Sequence, residues 1–379
     1  MPSSKSLNIV FMGTPEIASE SLSRIAELEK LNIITLKSVY TKPPVWNNKK
    51  KEFTSSPVDI LARSYGIKAR TPKTLRANAE EINFLKSLDL DMIIVVAFGL
   101  ILPAEILNIP KYGVLNLHPS LLPDLRGPSP IQYAILKRMK FSGVSIMALD
   151  AGVDTGPIIA QQRTGIDKNE YFSTLYKRMS LTGALLLAEV VKSVFKFRTD
   201  MYKCGYRQDS VYNSYLDYSS SFYLTELIKP DELKVDFFVD DPLDIYAKTR
   251  AFAESGGTFF AFGNKKIKII EAKLIADKNN KEIKDAFLNV QEESSVFTYC
   301  DYSEDSDLIS YLSHMATIPD IIPDKPGTII IANKSGLLVT TVKKGVYIQL
   351  LKLKPEGKNI MSYIDFINGF RIKQGAECR

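Results

Sequence analysis

Gly113-Val-Leu-Asn-Leu-His-Pro-Ser-Leu-Leu-Pro-Asp-Leu-Arg-Gly-Pro-Ser-Pro130, a helix-like run, and then Gly143-Val-Ser-Ile-Met-Ala-Leu-Asp-Ala-Gly-Val-Asp-Thr-Gly156 form the stretch that decides the fold. Val114 to His118 reads as a buried strand, and Pro119 stops it, because proline has no N–H to give a sheet ladder. Side chains two apart on a strand share a face, so Asn116 and His118 point the same way at the strand's end. Val144 to Leu149 is a second apolar strand, running into a loop with glycines on both sides of Asp154. Open α/β sheets bind ligands where strands end and loops begin. Two such ends here supply an amide, an imidazole and a carboxylate.

Those groups suit one kind of chemistry. An asparagine amide donates to an oxyanion, an imidazole donates or moves protons, and a carboxylate orients the imidazole. None of the three is a good nucleophile, which favours direct attack of one substrate on another. The alternative reading is a buried polar strand end whose groups are satisfied locally. His118 is one of only two histidines in the chain and sits in a run dense with proline and glycine, which weighs towards function.

The run N-L-H-P-S-L-L-P, followed by D-x-G-x-D-T-G, resembles the folate-dependent formyltransferases. The resemblance implies that Asn116, His118 and Asp154 are the catalytic trio. It puts the tetrahydrofolate-binding run on Ser120, Leu121, Leu122 and Pro123. It also implies that the loop Phe98-Gly99-Leu100-Ile101 lines the pterin pocket through backbone groups; taken alone, that loop reads equally well as an ordinary apolar βα loop. The implied formyl donor is 10-formyltetrahydrofolate, a substrate, with no metal required.

The chain has 379 residues, which suits two domains. Its 45% hydrophobic and 24% charged content is that of an ordinary globular chain. No run approaches the ~18 to 20 apolar residues of a membrane span. Three cysteines, Cys204, Cys300 and Cys378, are far apart and form no C-x-x-C motif, so neither a zinc site nor a disulfide framework is expected. Six polar residues precede the first strand, too few for a targeting peptide, and a cytoplasmic, monomeric protein is expected, with an organellar matrix as the other compartment. The net charge is +6, but the segment 279–325 holds three lysines against ten carboxylates, leaving a basic body. Such a body suits either a polyanionic partner or simple solubility.

Along the chain, Asn8 to Met12 is a strand, Thr14 a helix N-cap and Pro15 the first helical residue. Ile33 to Tyr40 is a second strand. Thr41 to Ser56 reads as a long loop carrying Lys42, Lys49, Lys50, Lys51 and the only tryptophan, Trp46. Clustered cations beside an aromatic suit a nucleic-acid end, through phosphate attraction and base stacking, though a solvated loop reads equally well. Asp91 to Ala97 is a near-continuous β-branched strand, as in the centre of a parallel sheet. Short strands are also expected at Ile67 to Arg70 and Ile158 to Gln162, and a long amphipathic helix at Tyr171 to Phe197. Arg126 is read as a contact to phosphate or to the folate tail, or as a cap on the site. Residues 209–222, rich in serine and tyrosine, read as a linker. Short β-like runs follow at Leu233 to Phe238, Gly257 to Phe262, Lys266 to Ile270, Thr328 to Ala332, Gly336 to Thr341 and Val346 to Leu351. With one helix at Pro242 to Ala253, they suit a small OB-like barrel.

The expected architecture is therefore α/β: a Rossmann-like, mostly parallel sheet with helices on both faces over 1–208, a linker over 209–222, and an OB-like β-barrel over 223–379 with an acidic insertion at about 279–325. Within the family, the lysine loop and the second domain point to formylation of the methionine on initiator methionyl-tRNA. The rivals are a glycinamide ribonucleotide formyltransferase, a formyltetrahydrofolate hydrolase or dehydrogenase, a sugar-amine formyltransferase, and a non-enzymatic RNA-binding protein of the same fold.

Overall fold

A computed structural model describes residues 5–48, 51–208, 224–254, 256–276 and 325–378. The expected linker, Lys49, Lys50, Cys300 and the acidic segment up to residue 324 lie outside the described residues. The chain forms two units: residues 1–131, 141–165 and 174–226 make the first, and 132–140, 166–173 and 227–379 the second.

The first unit is built on strand β1, Leu7–Gly13, which is buried along its whole length. Helix α1, Glu16–Lys30, follows, then β2, Ile34–Tyr40. After these come β3, Val45–Asn47, β4, Glu52–Thr54, α2, Pro57–Ser64, α3, Ala79–Ser87, β5, Met92–Val96, and α4, Ala104–Leu107. Then come β6, Val114–His118, α5, Pro130–Leu136, most of which belongs to the second unit, β7, Phe141–Ala148, β8, Ile158–Gly165, α6, Phe172–Phe197, and α7, Met201–Cys204. The sheet order is β2-β1-β5-β6-β7-β8. The pairs from β2 to β6 are parallel and the last two are antiparallel.

Period-two alternation divides this sheet's apolar side chains between two cores. Leu7, Ile9 and Phe11 of β1 join Ile94 and Leu117 in a cluster with α1, α2 and α6. Val10 and Met12 join Ile93 and Val95 in a second cluster with α3 and α4. Helices thus cover both faces, as the β-branched strands require. Among the described residues no helix is long and apolar enough to cross a membrane.

Four details differ from the sequence reading. Thr14 is not the N-cap of α1: Pro15 holds that position without a side-chain bond, and Thr14 Oγ1 instead donates to the Phe98 carbonyl at 2.9 Å. The Ile17 N–H donates to Tyr176 Oη at 3.0 Å, so a residue of α6 satisfies a helix-start donor that no local side chain reaches. Ile67 to Arg70 forms no strand but a single bridge between Arg70 and Tyr40. Thr41 to Ser56 is not a bare loop: β3 and β4 pair antiparallel, with Trp46 opposite Phe53.

In the second unit a 3₁₀ turn at Pro230–Leu233 stands at the start of the expected Leu233 to Phe238 strand, whose Lys234 contributes a lone bridge to Phe259. Helix α8, Pro242–Phe252, comes next. The strands are β9, Thr258–Phe262, β10, Lys265–Ala276, β11, Ile329–Asn333, β12, Gly336–Thr340, and β13, Val346–Pro355. They form an antiparallel sheet in the order β11-β12-β13-β10-β9, with β14, Met361–Ser362, paired to β13. Helix α9, Tyr363–Phe370, is capped by Ser362, whose hydroxyl accepts from the Asp365 N–H. Register shifts at Ile269 to Ala272 mark bulges in β10, which bend a strand and raise its twist. Phe260, Ile267, Leu274, Leu337, Ile348 and Phe366 share one apolar cluster, as a small β domain with one core demands.

A buried polar group ties the edge of the parallel sheet to α3. Tyr40 Oη donates to Glu81 Oε2 at 2.7 Å. Arg70 Nε donates to the same oxygen at 2.7 Å and Nη2 to Oε1 at 2.9 Å. Burial pushes the Glu81 carboxyl up, but the hydrogen bonds from Arg70 and Tyr40 outweigh it and hold the group below the ordinary range. Burial, and then the Glu81 hydrogen bond, push the Tyr40 hydroxyl far above its usual range. A carboxyl depressed by folding adds stability above its unfolded value of about 4.3, and that stability is lost as pH falls through the folded value. Glu81→Gln is expected to cost about 1.5 to 3 kcal/mol at neutral pH, as for hydrogen bonds to a charged group. Urea unfolding across a pH series should show the gap from wild type narrowing under acid conditions.

Candidate active site

Strand β6 lies between a parallel and an antiparallel neighbour. Asn116 is opposite Val95 of β5 and Met147 of β7, and His118 is opposite Ser145. Asn116 and His118 are the polar members of a strand that is otherwise Val and Leu, and both are buried, at 9% and 5% exposure. Among the described residues the Asn116 side chain makes no hydrogen bond, yet it is absent from the sealed, unsatisfied polar atoms. Its amide is therefore reachable from outside the fold. Buried amides are normally paired within the protein, so an open one at a strand end is a feature to explain.

His118 has a partner on each ring nitrogen. Nε2 lies 2.9 Å from the Leu125 carbonyl oxygen, and Nδ1 lies 3.5 Å from Asp154 Oδ2. Both partners are acceptors, so the ring satisfies both only when each nitrogen carries a proton. The same Asp154 oxygen accepts from the Gly127 N–H at 2.9 Å, which fixes the carboxylate. Asp154 sits in the left-handed region at φ 53°. Its loop is tightly built. Asp150 Oδ1 accepts from the Gly152 N–H at 3.0 Å and from Thr155 Oγ1 at 2.8 Å. A Cβ on Gly156 would meet the Ala148 carbonyl oxygen at 1.8 Å, so only glycine fits there.

Ser120, Leu121, Leu122 and Pro123 turn inwards and are buried. Leu122 packs with Met147 and Ile158. The run therefore belongs to the core. Ser145 of β7 is its hub. Its hydroxyl donates to the Ser120 carbonyl at 2.6 Å and accepts from the Leu122 N–H at 3.1 Å and from Gln161 Nε2 at 2.9 Å. Gln161 Nε2 also donates to the Leu122 carbonyl at 2.9 Å.

The loop after β5 alternates. Phe98 is buried, while Ala97 and Gly99 are exposed and Ile101 is 73% exposed. Gly99 has φ 75°, and a Cβ there would lie 2.6 Å from Lys42 Nζ. Lys42 thus lies over the Phe98–Gly99 loop at the carboxyl ends of the central strands. Arg126 Nε donates to Gln208 Oε1 at 2.8 Å. Its Nη1 and Nη2 have no protein acceptor among the described residues, and Gly127 beside it holds Asp154. In the β3–β4 ribbon Trp46 and Phe53 meet edge to face at 5.2 Å, with 49% and 69% of their surfaces exposed. Lys51 is exposed at the ribbon's turn.

Sequence reading did not single out Ser145, Gln161, Gln208, the Leu125 carbonyl or the Gly127 N–H. A serine within an apolar strand, two among many glutamines, and backbone groups carry no local mark.

Two family signatures match the chain: Formyl transferase over residues 7–191 and Formyl transferase, C-terminal domain, over residues 227–371. Methionyl-tRNA formyltransferase from Caldicellulosiruptor saccharolyticus is 33% identical over 97% of this chain and 99% of its own length. The protein of the same name from Carboxydothermus hydrogenoformans is 30% identical over 98% of this chain and 100% of its own. Among solved structures, the N-formyltransferase from Helicobacter canadensis, in complex with folinic acid and dTDP-3-aminofucose, shares the fold. Its TM-score is 0.55 at 19% identity, covering 91% of this chain and 98% of that one. The chain belongs to the formyl transferase family, among the methionyl-tRNA formyltransferases.

Ser145→Ala would leave the buried Leu122 N–H without its acceptor and the Ser120 carbonyl without its donor. Leaving such groups unsatisfied costs about 1 to 3 kcal/mol. Urea unfolding should register that loss, whereas Ser142→Ala, at a buried hydroxyl with no partner, should be nearly neutral.

Proposed function

We propose, on the premise of that family membership, that the chain transfers a formyl group from 10-formyltetrahydrofolate to the α-amino group of methionine on initiator methionyl-tRNA. The single observation that best supports this reading is the open amide of Asn116, two residues before a histidine that a carboxylate holds. The donor supplies a formyl carbon already bonded to a nitrogen that can leave.

As the amine nitrogen bonds to the formyl carbon, negative charge develops on the formyl oxygen. Asn116 Nδ2 donates to that oxygen, and the His118 imidazole stabilises the same charge. Such donors act strongly because they are already aimed and their surroundings are dry. Asp154 holds His118 in place and takes part in moving the proton that the amine loses. The bond from the formyl carbon to the folate nitrogen then breaks, and the proton passes to that nitrogen. The products are formylated aminoacyl-tRNA and tetrahydrofolate. The loop 98–101 offers backbone donors and acceptors to the pterin, the run 120–123 forms a wall of the same pocket, and Lys42 offers a cation nearby.

The β3–β4 ribbon serves the tRNA: Trp46 and Phe53 give bases a stacking surface, and Lys49, Lys50 and Lys51 give the backbone cations. Arg126 adds a cation beside the site. The enzyme acts as a monomer in a cytosol or an organellar matrix.

Three outcomes test this. Asn116→Ala should lower the single-turnover formylation rate about 10²- to 10³-fold, as loss of an oxyanion donor does; a rate within a few-fold of wild type would remove its assigned role. Replacing Lys49, Lys50 and Lys51 together by alanine should weaken tRNA binding and flatten its salt dependence, by roughly 0.9 in log–log slope for each lost duplex phosphate contact. Trp46→Ala with Phe53→Ala should weaken binding by about 1 to 3 kcal/mol per unstacked base and leave that slope unchanged. Product identification with charged initiator tRNA against small amines separates this reading from sugar-amine transfer and donor hydrolysis.

A further inference from the structure

Gln208 lies far along the chain from the residues it touches, and it is 3% exposed. Its amide is fully engaged. Nε2 donates to the Asp154 carbonyl at 2.9 Å and to the Gly156 carbonyl at 2.8 Å. Oε1 accepts from Arg126 Nε at 2.8 Å. One side chain thus bridges the loop that carries Asp154 and the segment whose Gly127 N–H binds the Asp154 carboxylate. The 206–208 segment is itself anchored, because Tyr206 bridges to Ile158 of β8.

This bridge has mechanical consequences. Asp154 adopts a left-handed backbone, which aspartate tolerates better than most non-glycine residues but which its surroundings must still favour over the extended and helical regions. Inside the loop, Asp150 accepts from Gly152 and Thr155 and so has no donor to give the Asp154 and Gly156 carbonyls. Gln208 Nε2 is the side-chain donor that ties both of these carbonyls. Without it, the buried Gly156 carbonyl and the half-buried Asp154 carbonyl lose this donor and the left-handed turn loses its tether. The Asp154 carboxylate would then drift from His118 Nδ1.

We propose that Gln208 is a positioning residue for the formyl transfer, fixing the Asp154 loop and the Arg126 guanidinium as one unit so that Asp154 faces His118. The proposal rests on the function proposed above. It concerns a residue that touches neither donor nor acceptor, so it acts on turnover and not on donor binding.

Two variants separate the amide's halves. Gln208→Leu removes all three bonds. Gln208→Glu keeps an acceptor for Arg126 and removes the donor to the two carbonyls. If the donation positions Asp154, both variants should lower kcat at least 10-fold while KM for the formyl donor stays within about twofold. The ring resonances of His118 should shift in both, and they are readily assigned because the chain has only two histidines. The resonances need no turnover, so they test the positioning even if wild type proves inactive on initiator tRNA, a result that would sink the functional reading instead. If Gln208→Leu fails to fold, Gln208→Glu carries the test. A folded Gln208→Glu protein within threefold of wild-type kcat, or with unshifted His118 resonances, overturns the proposal.

Discussion

A strand must stop where its next residue has no N–H to share, and in this chain that happens at Pro119. The site is arranged around this stop. Because β6 ends there, His118 is the last residue in the ladder, and the chain can fold back so that the Leu125 carbonyl reaches its ring. Because β6 is central in the sheet, with β5 and β7 on either side, the two polar residues on one of its faces are buried yet lie at the edge where loops meet. A strand at the sheet's margin would leave the same residues in water, where their hydrogen bonds and charges would count for little.

What surrounds the strand end is held mainly by side chains bonding to backbone. Ser145 and Gln161 hold the 120–122 turn from the neighbouring strands. Gly127 holds the Asp154 carboxylate, and Gln208 holds the Asp154 backbone. This leaves the ligand-facing surface largely peptide in character, with the Asn116 amide as the open side-chain donor. Peptide groups fixed in this way need no reorganisation when charge develops, which is what stabilising an oxyanion requires.

Two further features lie outside this strand end. The buried Tyr40–Glu81–Arg70 group is structural, joining sheet and helix. The aromatic pair of the β3–β4 ribbon holds the two short strands together yet stays exposed. Two large rings face water and pack on each other, in a segment that continues into lysines. A stable core would bury such rings, so their exposure suits a partner with flat, stackable surfaces and negative charge.

Much of this was determined by the sequence alone. The near-continuous runs of apolar and β-branched residues set the sheet, Pro119 set the strand end, and the spacing of Asn116 and His118 put them on one face. Those are short-range consequences of backbone geometry, so local residues suffice to predict them. The ribbon at 45–54 was not legible, because three-residue strands are too short to show a period and are stabilised by the cross-strand Trp46–Phe53 pair. The start of α1 was misread for a related reason. Thr14 has capping chemistry, but its hydroxyl finds the Phe98 carbonyl, and Tyr176 from a distant helix takes the open N–H. Only the tertiary structure decided which groups hold Asp154 and His118. Gln208, Ser145 and the Leu125 carbonyl act through contacts that span many residues or that use backbone atoms every residue possesses, and sequence spacing does not encode contacts of either kind.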